Sequence, residues 1–308
     1  MTLTELRYIV AVARERHFGK AAESCYVSQP TLSVAIKKLE EELEVVIFER
    51  GHGEVTLTPM GEQIVSQAQR VLEEASRIGQ LAQQGQDQLA GPLRVGAIYT
   101  VGPYLFPHLI PALADVAPKM RLIVEENYTS VLRDRLKHGD LDVIIVSLPF
   151  DEPGILTMPL YEEPFVVLLP SSHPLTQASE IDPVRLASEQ VLLLGAGHCF
   201  RDQVLDFCPD CYRSGKAQGE LQQSLEGGSL ETIRYMVASG LGVTVVPCTA
   251  AGADQFSQRL LTIRRFSDHS PARQVALAWR RTFTRPDAVK AIARSIADHL
   301  PSCVGSSG

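Results

Sequence analysis

The sequence predicts an α/β effector region of two lobes, preceded by a small helical unit with a hairpin and by one long connecting helix. Three observations carry that prediction. From Leu93 onward, apolar strand-like runs alternate with helical ones, a pattern that implies parallel pairing with right-handed crossovers. Ahead of them, from Pro59 to about Gln88, apolar residues recur at threes and fours with little glycine or proline to interrupt, the mark of one long helix. The first part of the chain holds three short amphipathic segments and then two strand-like runs. At 308 residues the chain exceeds a typical domain. The expected divisions are 1–58, a connecting helix over 59–90, and an effector region over 91–300. Within the last, lobe 1 takes about 91–163 plus 267–300 and lobe 2 about 164–266, and 301–308 is expected to be a disordered tail with Cys303 incidental.

The elements follow in chain order. Leu3, Leu6, Ile9 and Val12 define a first helix from about Thr4 to Arg16. His17-Phe18-Gly19 breaks it, and Lys20 begins a second helix ending near Cys25. Ser28 is placed to cap a third, with Pro30 in its first turn. That helix, to Leu43, puts Leu32, Ile36, Leu39 and Leu43 on one face and Thr31, Ser33, Lys37 and Lys38 on the other. Two short helices joined by a tight turn, the second led by polar residues, form a helix-turn-helix pattern; an ordinary three-helix bundle with a solvated face fits the same pattern. Val46–Arg50 and Val55–Thr58 flank Gly51-His52-Gly53-Glu54 and read as a hairpin. A net charge of −7 argues against DNA binding by bulk attraction and leaves room for a local basic surface.

The stripe Ile64, Val65, Ala68, Val71, Leu72, Ala75, Ile78 and Leu81 on the long helix asks for a partner helix. Strands are then expected at Leu93–Tyr99, Arg121–Asn127, Val143–Leu148, Phe165–Leu169, Val191–Leu194, Val243–Val246, Thr262–Arg265 and Arg273–Trp279. Helices are expected at Pro103–Val116, Val131–His138, Phe200–Phe207, Ser229–Ser239 and Pro286–His299, and the lobes are joined by segments crossing near Glu163 and Phe266. Thr100 and Thr129 each fall just past a strand and before a helix, where open α/β sheets bind ligands. Each is also explained by helix capping alone. No apolar run approaches a membrane span, and no signal segment is visible at Met1–Val10, so a cytoplasmic location is expected.

Six cysteines are few for a disulfide framework, and in a reducing compartment a pair is better suited to redox work. The stretch Gly195-Ala196-Gly197-His198-Cys199 brings a thiol to a helix start, where the dipole favours the thiolate. With a helix between them, Cys199 and Cys208 lie roughly 13 Å apart along its axis at about 1.5 Å per residue. A disulfide spans about 4.4–6.8 Å between Cα atoms, so this pair bridges only if the helix unwinds. Two unrelated buried thiols are the plain alternative. Cys208 and Cys211 with His198 would need a second ligand pair to make a structural zinc site, and Cys248 with His269 is a poor one. No phosphate-binding glycine motif follows a strand. No metal and no cofactor are expected.

Two resemblances add to this reading. Phe18-Gly19-Lys20-Ala21-Ala22, Val27-Ser28-Gln29-Pro30-Thr31-Leu32-Ser33, Ile47-Phe48-Glu49-Arg50 and Thr58-Pro59-Met60-Gly61 resemble the winged-helix domain of LysR-type transcriptional regulators. The resemblance implies double-stranded promoter DNA as a partner, with Ser28, Gln29, Pro30, Thr31, Ser33, Lys37 and Arg50 as contacts. It also implies a periplasmic-binding-protein-like effector region with two Rossmann-like lobes. Gly96–Leu105, Glu125–Thr129 and Gly197-His198-Cys199-Phe200-Arg201-Asp202-Gln203 are similar to the peroxide-sensing OxyR subgroup, from Met1 to roughly Trp279. By that resemblance Cys199 is the peroxide-reactive thiol and Cys208 its resolving partner. Thr100, Thr129 and His198 bind peroxide, Asp202 ties the loop, and Arg273 supplies cationic character. The implied assembly is a homodimer through the long helix and then a homotetramer, with RNA polymerase a further candidate partner. The chain departs from the subgroup at Cys208-Pro209-Asp210-Cys211, where Cys211 is a third thiol near the switch. A regulator answering to a small organic effector, and a thiol peroxidase that leaves the first ninety or so residues without a purpose, are the competing functions.

Overall fold

The computed structural model describes residues 1–50, 55–83, 87–212, 226–252, 259–267 and 270–306. They form two compact units, Met1–Gln86 and Asp87–Gly308.

The first unit contains α1 (Leu3–Glu15), α2 (Phe18–Ser24), α3 (Gln29–Leu43), the paired strands β1 (Phe48–Arg50) and β2 (Val55–Leu57), and α4 (Pro59–Gln83). Thr2 and Glu5 cap α1 reciprocally, the Glu5 amide donating to Thr2 Oγ1 at 3.2 Å and the Thr2 amide to Glu5 Oε2 at 2.7 Å. The apparent break at His17 is a cap: its Nδ1 accepts from the amides of Gly19 and Lys20, so α2 starts two residues earlier than its apolar pattern suggests. Ser28 caps α3, accepting from the Thr31 amide at 3.3 Å. Leu6, Ile9, Val12, Leu32, Ile36 and Leu39 close the core together with Ile47 and Phe48, and Val65 and Ala68 of α4 complete it. Leu43, expected inside, is exposed at the end of α3. Gly61 lets α4 approach the hairpin, since a Cβ there would lie 2.1 Å from the Ile47 carbonyl oxygen. Further along α4, Val71 and Ile78 are exposed.

The second unit is built on one mixed sheet. Its strands are β3 (Gly91–Ile98), β4 (Met120–Asn127), β5 (Val143–Ser147), β6 (Ile155–Pro170), β7 (Glu180–Ile181), β8 (Val191–Leu194), β9 (Glu226–Gly227), β10 (Val243–Pro247), β11 (Leu261–Phe266), β12 (Ala272–Arg280) and β13 (Gly305–Ser306). The helices are α5 (Gly102–Val116), α6 (Thr129–Lys137), α7 (Pro183–Leu186), α8 (Cys199–Phe207), α9 (Leu230–Ala238), α10 (Cys248–Ala251) and α11 (Pro286–Ala297). Strand order is β4-β3-β5-β12-β6-β10-β8-β9, with β7, β11 and β13 off that path. β3 runs parallel to β4 and β5, and β8 parallel to β9 and β10, as the alternation of elements requires. β6 is the exception to a simple two-lobe reading. It runs unbroken through Glu163, pairing with β12 through its first half and with β10 and β11 through its second. Buried residues fall into two clusters, one around Leu93, Leu109, Leu132, Ile145 and Leu277, the other around Phe165, Leu168, Leu192, Phe200 and Val245.

The tail corrects an expectation. Cys303 forms a disulfide with Cys248, and β13 pairs with β6. Residues 301–306 are therefore ordered by a covalent tie and a strand register, and Cys303 is not incidental. Among the described residues no helix is long and apolar enough to cross a membrane.

Candidate functional site

Three chain reversals converge on Cys199. The first follows β3 and carries Tyr99 and Thr100; the second follows β4 and carries Tyr128 and Thr129; the third, Gly195–His198, follows β8 and opens α8 at Cys199. Together with Ile98, Asn127 and Gly197 they line a small cavity of about 10 Å³. Gly197 has φ +96°, and a Cβ there would rest 3.4 Å from the Tyr128 ring. That is ordinary contact distance, so the loop needs glycine for its left-handed turn rather than for room beside the ring. Tyr99, Tyr128 and His198 pack against one another around the opening, the two tyrosines edge-on and His198 tilted to both, with Tyr128 and His198 ring centroids 4.8 Å apart.

The polar groups of this cavity differ in how far they are satisfied. Arg273 donates to Thr100 Oγ1 at 2.7 Å and to the Thr100 carbonyl at 2.8 Å, and its Nε donates to Glu163 Oε2 at 2.8 Å. Glu163 is fully buried and also accepts from the Thr249 hydroxyl and amide. With one Thr100 lone pair taken by a cation, the hydroxyl proton is left to donate elsewhere. Thr129 Oγ1 and His198 Nε2, by contrast, are buried with no hydrogen-bond partner among the described residues. Burial holds His198 below its ordinary pKa, and a hydrogen bond with the Gly228 backbone partly opposes this. The imidazole is thus favoured neutral, able to accept or donate according to tautomer.

The structure brings together Thr100, Thr129, His198 and Cys199 and leaves two expected residues outside. Arg273 does not line the cavity and reaches it only by its hydrogen bonds to Thr100. Asp202 is exposed on the first turn of α8, three residues past the cavity wall. The loop is tied instead by Arg201, whose Nη1 donates to the Leu194 carbonyl at 3.1 Å and to Glu226. Gln203 Nε2 donates to Ser147 Oγ at 2.8 Å. Cys208 caps the far end of α8 and is buried, bonded to Cys211 at a Cα separation of 5.4 Å, while Cys199 is a free thiol. Glu163, Arg201, Tyr99 and Tyr128 escaped the sequence reading. The two tyrosines had a signal, since each directly precedes a threonine singled out by its place after a strand.

In the first unit, Ser28, Gln29, Pro30, Thr31 and Lys37 are exposed along the start of α3, Ser33 is half-buried, and Lys37 lies 3.6 Å from Glu41. Tyr26, in a left-handed turn with φ 57°, is 95% exposed just ahead of them. The Arg50 side chain and His52 lie outside the described residues. So does His269, and Cys248, its imagined metal partner, is taken up in a disulfide.

Residues 3–62 match the family model of the bacterial regulatory helix-turn-helix protein, LysR family, and residues 86–301 match that of the LysR substrate binding domain. The chain belongs to the LysR family. Within that family it falls in the OxyR group. It is 40% identical over 250 residues to the DNA-binding transcriptional dual regulator OxyR of Escherichia coli K12, covering 81% of this chain and 80% of that one. A full-length OxyR variant from Pseudomonas aeruginosa superposes with a TM-score of 0.77 at 56% identity, over 98% of this chain and 99% of that chain. A peroxide-bound OxyR mutant from Corynebacterium glutamicum gives a TM-score of 0.62 at 32% identity, over 97% and 94% of the two chains. This LysR-type protein is a transcriptional regulator with a helix-turn-helix unit and a bilobal effector region, and not a thiol peroxidase.

Proposed function

We propose that this regulator senses hydrogen peroxide through Cys199 and activates oxidative-stress genes. The observation that carries the reading is the cavity itself: a free thiol at a helix start, faced by two buried polar atoms without partners, in a space fit for one water-sized molecule. Peroxide has two oxygens, each able to donate and accept, and so matches Thr129 Oγ1, His198 Nε2 and the spare proton of Thr100. The Cys199 thiolate attacks one oxygen, giving sulfenic acid and hydroxide; Cys208, as a thiol, then condenses with the sulfenic acid to a disulfide and releases water. Because Cys199 and Cys208 bound α8, that bond requires the helix to unwind. The resulting change in the effector region alters how paired DNA-binding units sit on a promoter. A small organic effector is less well served by so small a space.

The same reading makes the protein cytoplasmic, with double-stranded DNA met by Ser28, Gln29, Pro30, Thr31, Ser33, Lys37 and Arg50. Two chains join through the exposed side of α4, dimers pair into tetramers, and RNA polymerase is recruited at the promoter. Brief substoichiometric peroxide followed by peptide mapping tests the core claim. A linked Cys199 peptide is expected in the wild type and no redox response in Cys199→Ser; an unmodified Cys199 with an intact transcriptional response would overturn it. Gln29→Ala is expected to lose about 1–3 kcal/mol on specific sites, and equal weakening on random DNA would reassign Gln29 to the backbone. Val71→Glu is expected to turn the dimer to monomer in sedimentation.

A further inference from the structure

Cys208 has two partners that exclude one another. In the structure it is bonded to Cys211, three residues on, across the short turn Pro209–Tyr212. In the switch proposed above it must bond Cys199, at the other end of α8. Cys208 and Cys211 sit in the lobe 2 core, at 3% and 2% exposure, in one cluster with Phe200 and Val204. The free Cys199, half-buried, packs against the other core cluster.

The two pairings have different structural costs. With Cys208 on Cys211, α8 keeps its full length and its contacts: Phe200 edge-on to Phe165 at 4.9 Å, Phe207 edge-on to Phe266 at 5.2 Å, and Gln203 on Ser147. The Cys208 amide still closes the helix onto the Val204 carbonyl at 3.0 Å. A Cys199–Cys208 bond gives up the helix, and with it the geometry that holds those contacts. Electrons do not distinguish the two states, since each holds one disulfide and one thiol. Packing does, and it favours the local pair.

We infer that Cys211 is a resetting thiol, which displaces Cys199 from the Cys199–Cys208 disulfide and returns the protein to the form seen here. The inference rests on the peroxide reading of Cys199 and Cys208. The Cys211 thiolate attacks Cys208 Sγ; the Cys208–Cys211 bond forms, the Cys199–Cys208 bond breaks, and Cys199 leaves as a thiolate with its electron pair. No external oxidant or reductant enters. The signal decays by the protein's own chemistry, while Cys208 is withheld from a new cycle until an external dithiol reduces the Cys208–Cys211 bond.

The test uses the full-length protein, reduced and freed of reductant, given one equivalent of peroxide and then catalase. Samples are acid-quenched over time, alkylated and mapped. The expected course is a Cys199–Cys208 peptide that appears first and then declines, while the Cys208–Cys211 peptide rises and Cys199 regains alkylation. In Cys211→Ser the Cys199–Cys208 peptide is expected to last at least ten times longer; Cys211→Ala serves as a second variant, because a serine hydroxyl in this apolar pocket can disturb folding. A Cys199–Cys208 bridge equally long-lived in the wild type and both variants overturns the resetting role. Formation of the Cys208–Cys211 bond at the wild-type rate in Cys199→Ser overturns it too, since no exchange is then involved. Absence of the Cys199–Cys208 bridge from Cys211→Ser and Cys211→Ala as well is a different failure, that of the underlying switch.

Discussion

Thr100 and Thr129 hold matching places, each just past one of two neighbouring parallel strands and each facing Cys199, yet they are held quite differently. Thr100 is locked from behind by Arg273, itself locked by Glu163, in a chain of charge-assisted hydrogen bonds that is buried throughout. Thr129 opens α6 and its hydroxyl has no partner among the described residues. An unmade hydrogen bond of this kind costs about 1–3 kcal/mol, and natural proteins keep such a group where something else completes it. One wall of the cavity is therefore a finished piece of structure and the other is a half-made contact. On the proposed peroxide reading, the difference separates what would position the ligand from what would meet it.

The sharpest way to break this contrast is Glu163→Gln. Arg273 then becomes a buried cation without its counter-charge, which costs about 3–5 kcal/mol. A drop of that size in urea-unfolding stability is expected, together with slower oxidation of Cys199 because Thr100 loses its anchor. A change below about 1 kcal/mol, the range of surface pairs, would mean that the pair does not hold the wall.

The two threonines supply the next comparison. Thr100→Val leaves Arg273 short of an acceptor and is expected to lower stability by about 1–3 kcal/mol. Thr129→Val removes a hydroxyl that has no partner and is expected to leave stability unchanged or slightly raised. Both are expected to slow Cys199 oxidation about tenfold, equal to about 1.4 kcal/mol of barrier, in stopped-flow thiol assays. Equal stability losses for both variants would erase the distinction between the walls.

That contrast also marks what could be read from the residues alone. Helices, strands and the order of lobes follow from apolar spacing, and the cavity threonines from their place after strands. Cys199 at the start of α8 follows from glycines ahead of a helical face. Glu163 does not: a lone carboxylate beside an apolar run looks like a strand edge until Arg273, distant in sequence, is laid on it by the β6–β12 pairing. Asp202 was misplaced for the opposite reason. Its neighbours in sequence belong to the site, but helical rotation turns it outward and gives the loop-tying role to Arg201. Cys303 shows the same limit, since nothing local announces that a short small-residue tail returns to Cys248. Local pattern places elements, whereas partners distant in sequence emerge only from the sheet register.

The smallest expected effect lies in His198 and bears on whether the second wall works by charge or by hydrogen bonding. Burial lowers its pKa from 6.5, against a weaker opposing effect of the Gly228 backbone. Above about pH 6.5 the imidazole is neutral in the folded and unfolded chain alike and no penalty arises. As pH falls below that value, the unfolded chain takes up a proton that the folded chain resists, so more protons are bound on unfolding and stability declines. The decline continues until pH has passed through the depressed folded value. His198→Gln is expected to lack this contribution, so the difference between the two unfolding profiles should be flat above pH 6.5 and should grow below it. Gln retains a polar end able to donate to peroxide, so at pH 7.5 its oxidation rate is expected to stay near wild type, while His198→Leu slows. Were His198→Gln to slow as much as His198→Leu, the wall would be acting through imidazolium charge, and the neutral, half-made contact would be the wrong description of it.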